Sequence, residues 1–158
     1  MDEDTSNDTA QSSVIDQLNT AVADAKQGKV EALPCLRQLL DDHPEIWRHY
    51  GDLDAHVTAK WIGLLAGEDA CIRESVSRRL AELRVELHEQ DASPLEKLLI
   101  ARVTTSWLMV GYFDAAVSLA TGDVPNAQGR YLHQQLTRAQ RRHLEAIKGL
   151  AEVRKLLP

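Results

Sequence analysis

From Leu132 the chain places Leu136, Ala139, His143, Ala146, Leu150, Val153 and Leu157 at alternating spacings of four and three, without a slip over more than three heptads. A strand repeats every two residues and a helix every 3.6, so this pattern commits the end of the chain to a helix with one continuous apolar seam. With Pro125 near its start, the spacing predicts a helix of roughly 33 residues, about 50 Å long. That is longer than a compact domain of this size spans, so the seam must pack back on its own domain or meet another helix.

The rest of the chain reads the same way. Of 158 residues, 44% are apolar and only seven are aromatic, and the long Leu/Ala/Glu/Arg-rich stretches favour helices over strands. Val14, Leu18, Val22 and Ala25 predict a helix starting near Ser12 or Ser13 and ending at Gly28, and Leu33, Leu36, Leu39 and Leu40 predict a second from about 30 to 41. His43-Pro44-Glu45 signals a third over about 44–66, with Ile46, Tyr50, Leu53, Val57, Trp61, Leu64 and Leu65 inward and Gly51 able to kink it. A fourth, about 69–88, buries Ile72, Val76, Leu80, Leu83 and Leu87 and spaces Arg78 and Glu82 for an ion pair. Ser93-Pro94-Leu95-Glu96 has the form of a capping box and opens a fifth helix that is apolar on most sides to about Ala120, with Gly111 admitting a close neighbour. Thr121-Gly122-Asp123 breaks the chain before the last helix.

The expected fold is therefore all-α: a bundle of five to six helices with a central apolar helix and a long amphipathic C-terminal helix. Residues 1–12, acidic and without apolar period, are expected to be a disordered tail. Residues 13–124 form the helical core, and 125–158 the long helix that packs on the core or extends from it.

An N-terminus with Asp2, Glu3, Asp4 and Asp8 and no basic residue is the opposite of a secretory leader, and Arg102 and Asp114 interrupt the most apolar stretch. Cys35 and Cys71 lie in Leu/Ile-rich patterns without zinc spacing and are expected to be reduced core residues. These features predict a cytoplasmic protein with no membrane association.

Several phrases occur together: Pro44-Glu45-Ile46-Trp47-Arg48 with Gly51-Asp52-Leu53, Ser93-Pro94-Leu95-Glu96, Trp107-Leu108, and Arg141-Arg142, Leu150-Ala151 and Val153-Arg154-Lys155-Leu156-Leu157. In these the chain resembles an uncharacterised family of helical bacterial proteins. The resemblance covers most of the ordered part and implies a recurring domain, but no activity, cofactor or ligand.

Charge is unevenly placed. From Pro125 onward seven Lys/Arg stand against two Glu, although the whole chain carries −6. Arg138, Arg141, Arg142, Lys148, Arg154 and Lys155 could follow a phosphate backbone, but an acidic chain without an aromatic stacking platform argues against it. Glu45, His49, Asp52 and His56, spaced 4, 3 and 4, would share one stripe of the third helix, yet a metal would need ligands from a second helix. His143 lies among Leu and Ala, where an imidazole can bond across an interface. Thr104, Thr105 and Ser106 sit mid-helix and are expected to bond back to helix carbonyls. No Gly-x-Ser-x-Gly turn or phosphate-cradling glycine loop occurs. The expected function is a non-enzymatic protein–protein interaction or assembly module, without metal or cofactor, acting through Leu132, Leu136, His143, Leu150, Val153 and Leu157. The alternative is a nucleic-acid-binding accessory protein using the six cations named above.

Overall fold

The computed structural model describes residues 3–88, 90–120 and 126–156, with side chains from Ser13 onward apart from Asn126. Every regular element among them is a helix: α1 (Glu3–Lys26), α2 (Ala32–Asp42), α3 (Pro44–Tyr50), α4 (Leu53–Ala66), α5 (Ala70–Leu87), α6 (Pro94–Leu119) and α7 (Asn126–Leu156). The fold class is all-α, with seven described helices rather than five to six. Leu157 and the expected break at Thr121 to Asp123 lie outside the described residues.

The extra helix arises because the stretch expected as one helix over 44–66 is two. Gly51 donates its N–H to the Trp47 carbonyl at 2.8 Å, and a Cβ added to Gly51 would stand 2.7 Å from that same oxygen. Only glycine tolerates so close an approach, and the helix ends there. Most other ends follow local chemistry. α1 stops before Gly28, whose φ of +74° is left-handed, and α4 stops before Gly67 at φ +55°. Asp69 accepts from the Ile72 N–H to start α5. At α6 the capping box is complete: Ser93 Oγ accepts from the Glu96 N–H at 3.2 Å, and Glu96 Oε2 accepts from the Ser93 N–H at 2.9 Å. The backbone of α1 already begins at Glu3, ahead of the start read from apolar spacing, because that spacing marks only the part of a helix with a face to bury.

The chain divides into two compact units, Met1–Asp52 and Leu53–Pro158. In the first, α1 packs on α2 and α2 on α3, around a small core of Leu18, Ala21 and Ala32. In the second, α6 is central as expected and packs against α4, α5 and α7. Ile62, Leu80 and Leu108 join α4, α5 and α6, with Trp61, Leu65 and Val76 against them. Ile100 and Val103 of α6 meet Ala146 and Leu150 of α7, with Leu87 and Leu99 alongside. Trp61 extends the apolar packing into a ring cluster, 5.5 Å from Tyr112 and 6.0 Å from Phe113.

Some side chains point otherwise than their spacing suggests. α4 turns Thr58, Ile62 and Ala66 inward, so Leu53, Val57 and Leu64 are exposed. Cys35 and Cys71 are free and exposed, not core residues, because the buried face of each helix falls on other positions. Gly111 faces open space rather than a close neighbour, and at Gly149 an added Cβ would stand in ordinary van der Waals contact with Leu99 Cδ2 at 3.5 Å.

Candidate functional site

The apolar seam of α7 is engaged within its own unit. Ala139, Ala146 and Leu150 are buried, while Leu132, Leu136, His143 and Val153 are half-buried. Leu157, the last seam position, lies outside the described residues. The seam therefore supplies much of the α6–α7 packing, and the large apolar side chains that α7 leaves open, Tyr131, Leu144, Ile147 and Leu156, lie off it.

Where α4, α5 and α6 meet, five polar side chains form a closed hydrogen-bond circuit. Arg84 of α5 donates through one terminal nitrogen to Asp54 Oδ2 and, at 3.2 Å, to Thr58 Oγ1, both on α4. Its Nε donates to Thr104 Oγ1 at 3.3 Å. Thr105 donates to Asp54 Oδ1, and the Thr58 and Thr105 hydroxyls lie 3.3 Å apart. A hydroxyl has one proton. With that of Thr105 directed at Asp54, Thr58 donates to Thr105, and Thr104 donates back to the Ala101 carbonyl at 3.0 Å. The expected back-bonding thus holds for Thr104 and Ser106, while Thr105 reaches across to another helix. Thr104 is fully buried and Thr58 nearly so. In such surroundings a satisfied network fixes how helices register on one another.

A second polar contact links α6 and α7. Ser106 Oγ donates to the Val103 carbonyl at 3.0 Å and lies 2.9 Å from His143 Nδ1. Since the serine proton is directed at the carbonyl, the hydrogen-bond count assigns Nδ1–H as the donor to Ser106. Burial pushes the His143 value below the ordinary imidazole range, opposed by the Val103 carbonyl.

A third lies at the start of α6. Arg154, read from the sequence as a phosphate contact, instead donates to Glu96 Oε1 at 3.3 Å and to the Leu87 carbonyl. The Ser93 N–H holds Glu96 below the usual carboxylate range, against the effect of desolvation and with help from Arg154. The remaining cations, Arg138, Arg141, Arg142, Lys148 and Lys155, are exposed, and Arg141 pairs with Glu145 at 3.0 Å.

The expected stripe of Glu45, His49, Asp52 and His56 does not form on one helix, because Glu45 and His49 lie in α3, Asp52 in the break and His56 in α4. Among the described residues no group of three or more His, Cys, Asp or Glu could hold a metal ion, and no helix is long and apolar enough to cross a membrane. No buried side-chain nitrogen or oxygen among them lacks a partner. Asp54, Thr58 and Arg84 were not singled out as interacting groups by sequence reasoning, and Glu96 and Ser106 were read for the capping box and for back-bonding but not for their contacts with Arg154 and His143. The signal, weak in isolation, was a charged or hydroxyl residue beside the apolar positions of each helix.

No protein-family model, curated protein or solved structure matches the chain. The resemblance in its sequence phrases brings no catalytic or binding residue to these positions.

Proposed function

We propose that this chain is a non-enzymatic, cytoplasmic assembly module in which α7 carries the intermolecular contact on the face turned away from its seam. The observation that carries the reading is the division of labour along α7. Its seam residues pack inward, while Leu144 and Ile147, three apart and 56% and 42% exposed, present apolar surface outward. The interior polar groups are engaged with one another, which supports a structural role for them rather than chemistry. Free cysteines accord with a reducing compartment.

Light scattering of the purified chain at two concentrations and two salt strengths tests this reading. The expected mass is above the 17.6 kDa monomer and insensitive to salt. The double substitution Leu144→Glu, Ile147→Glu should return it to a monomer with unchanged helix content. A wild-type chain that is monomeric at both concentrations overturns the reading.

A second reading, nucleic-acid binding, is favoured by the exposure of five of the six cations expected to contact phosphate. It predicts 260 nm absorbance that copurifies at low salt and is removed by raising salt or by Arg141→Glu with Lys148→Glu.

A further inference from the structure

We propose that the groove between α4 and α5 is a docking site for an acidic amphipathic helix presented by a partner protein. The groove, about 650 Å³, is lined by Lys60, Ile62, Gly63 and Leu64 from α4 and by Arg73 and Ser77 from α5. Its character is apolar surface with two cations, and none of its lining residues is acidic. On a chain of net charge −6 this is a local reversal of sign. Arg73 donates to the Gly67 carbonyl at 2.7 Å, which holds the guanidinium in place without neutralising it. Ser77 donates to the Arg73 carbonyl of its own helix, so its hydroxyl proton is not offered to the groove.

Gly63 indicates what kind of occupant fits. It lies inside α4, where glycine weakens a helix, yet an added Cβ would meet nothing within 4 Å. Packing within the chain therefore does not require a glycine there. Its bare backbone on the groove lining leaves room for a second helix to come close, as axes 8–10 Å apart require. Gly111 and Gly129 share the open space, but Gly63 has it beside exposed Leu64 on a lining that carries Lys60 and Arg73. The groove is more open than enclosed, whereas sites for small molecules enclose most of the ligand surface. α4 provides about 20 Å of length, enough for anchors at i, i+3 or i+4, and i+7 of a docked helix. Carboxylates flanking those anchors would meet Lys60 and Arg73, and such pairs set orientation and discriminate against basic partners.

This surface is separate from the outward face of α7, and different substitutions test the two. The experiment measures fluorescence anisotropy of a dye-labelled helical peptide of about 18 residues, long enough to hold helix, with a Leu stripe flanked by Glu. Its counterpart carries Lys at every Glu position, and both are titrated with the full chain. The Glu peptide should bind saturably with Kd below about 1 mM, and the Lys peptide about tenfold or more weakly. Gly63→Trp, which fills the groove from a position with free space, and Lys60→Glu should each weaken the Glu peptide about tenfold without changing the circular dichroism melt. Leu144→Glu should leave peptide binding unchanged. Equal binding of both peptides, binding that survives Gly63→Trp, or no binding up to about 1 mM overturns the proposal. So does a self-associated chain that Gly63→Trp dissociates, because the groove would then belong to a second copy.

Discussion

Arg84 shows how much one side chain can organise when its donors point several ways. It joins Asp54 and Thr58 on α4 to Thr104 on α6 through two nitrogens of one rigid planar guanidinium, whose spread a lysine's single nitrogen does not reproduce. Both charged members remain about a third exposed, so the ion pair is partly screened, and the loss on truncation falls on the acceptors that Arg84 serves, Asp54 Oδ2 and the buried Thr58 and Thr104 oxygens, each of which loses a donor. Arg84→Ala should cost about 2 kcal/mol in urea unfolding, and Arg84→Lys should recover only a minor part. At His143 the same setting produces a pH response. Burial lowers its folded value, so between that value and the unfolded one the unfolded chain binds more protons and stability rises with pH. The contribution is complete above the unfolded value near 6.5 and is lost as pH falls through it toward the folded value. Thermal melts at pH 7.5 and 5.5 should show a lower midpoint in acid, and His143→Asn should flatten that difference. Parallel shifts in both proteins would remove His143 as the cause. Glu96 acts in a more acidic window. Its folded value is lowered, so its contribution is present above the unfolded carboxylate range and fades as pH falls through the folded value.

Helices α4 and α7 mark how far the pattern of a single element carries. In α7 the four-three spacing predicts the buried face, since Ala139, Ala146 and Leu150 are its fully buried members. Leu150→Ala should therefore cost about 3 kcal/mol, whereas Leu156→Ala, exposed on α7 and outside the proposed contact, should stay within about 0.5 kcal/mol. Equal costs in denaturant unfolding would mean that the seam faces elsewhere. α4 is the contrary case, because it buries Thr58, Ile62 and Ala66 and leaves Leu53, Val57 and Leu64 in solvent. Threonine and alanine score as weak core residues, yet Thr58 is buried with its hydroxyl bonded to Arg84 and Thr105, partners that apolar spacing does not register. A similar choice decides the ion pairs of α5. Arg78 pairs with Glu74 rather than Glu82, matching the preference for the acidic residue on the N-terminal side, and Arg79 takes Glu82 and Glu86.

At the scale of the molecule, the two units differ in what they bury. Met1–Asp52 encloses Leu18, Ala21 and Ala32 among its described residues, whereas Leu53–Pro158 has two apolar clusters and three polar contacts between helices. A core of three small or medium side chains falls short of what independent folding demands at about 50 residues. Residues 53–158 expressed alone should unfold cooperatively with a midpoint close to the full chain's, and 1–52 alone should show no cooperative transition by circular dichroism. A fragment 53–158 that is unfolded would show that the larger unit depends on the smaller. The sequence by itself determined the helical class, the capping box at Ser93 and Glu96, the glycine stops and the apolar phase of α7. These depend on interactions between residues a few positions apart, and local spacing records them. Only the tertiary structure decided that the α7 seam meets α6, that Arg154 turns inward to Glu96, and that Asp54, Arg84 and Thr105 share one circuit. Those partners lie 58, 30 and 51 positions apart in the chain, and their meeting is set by how helices pack against each other rather than by any pattern within one helix.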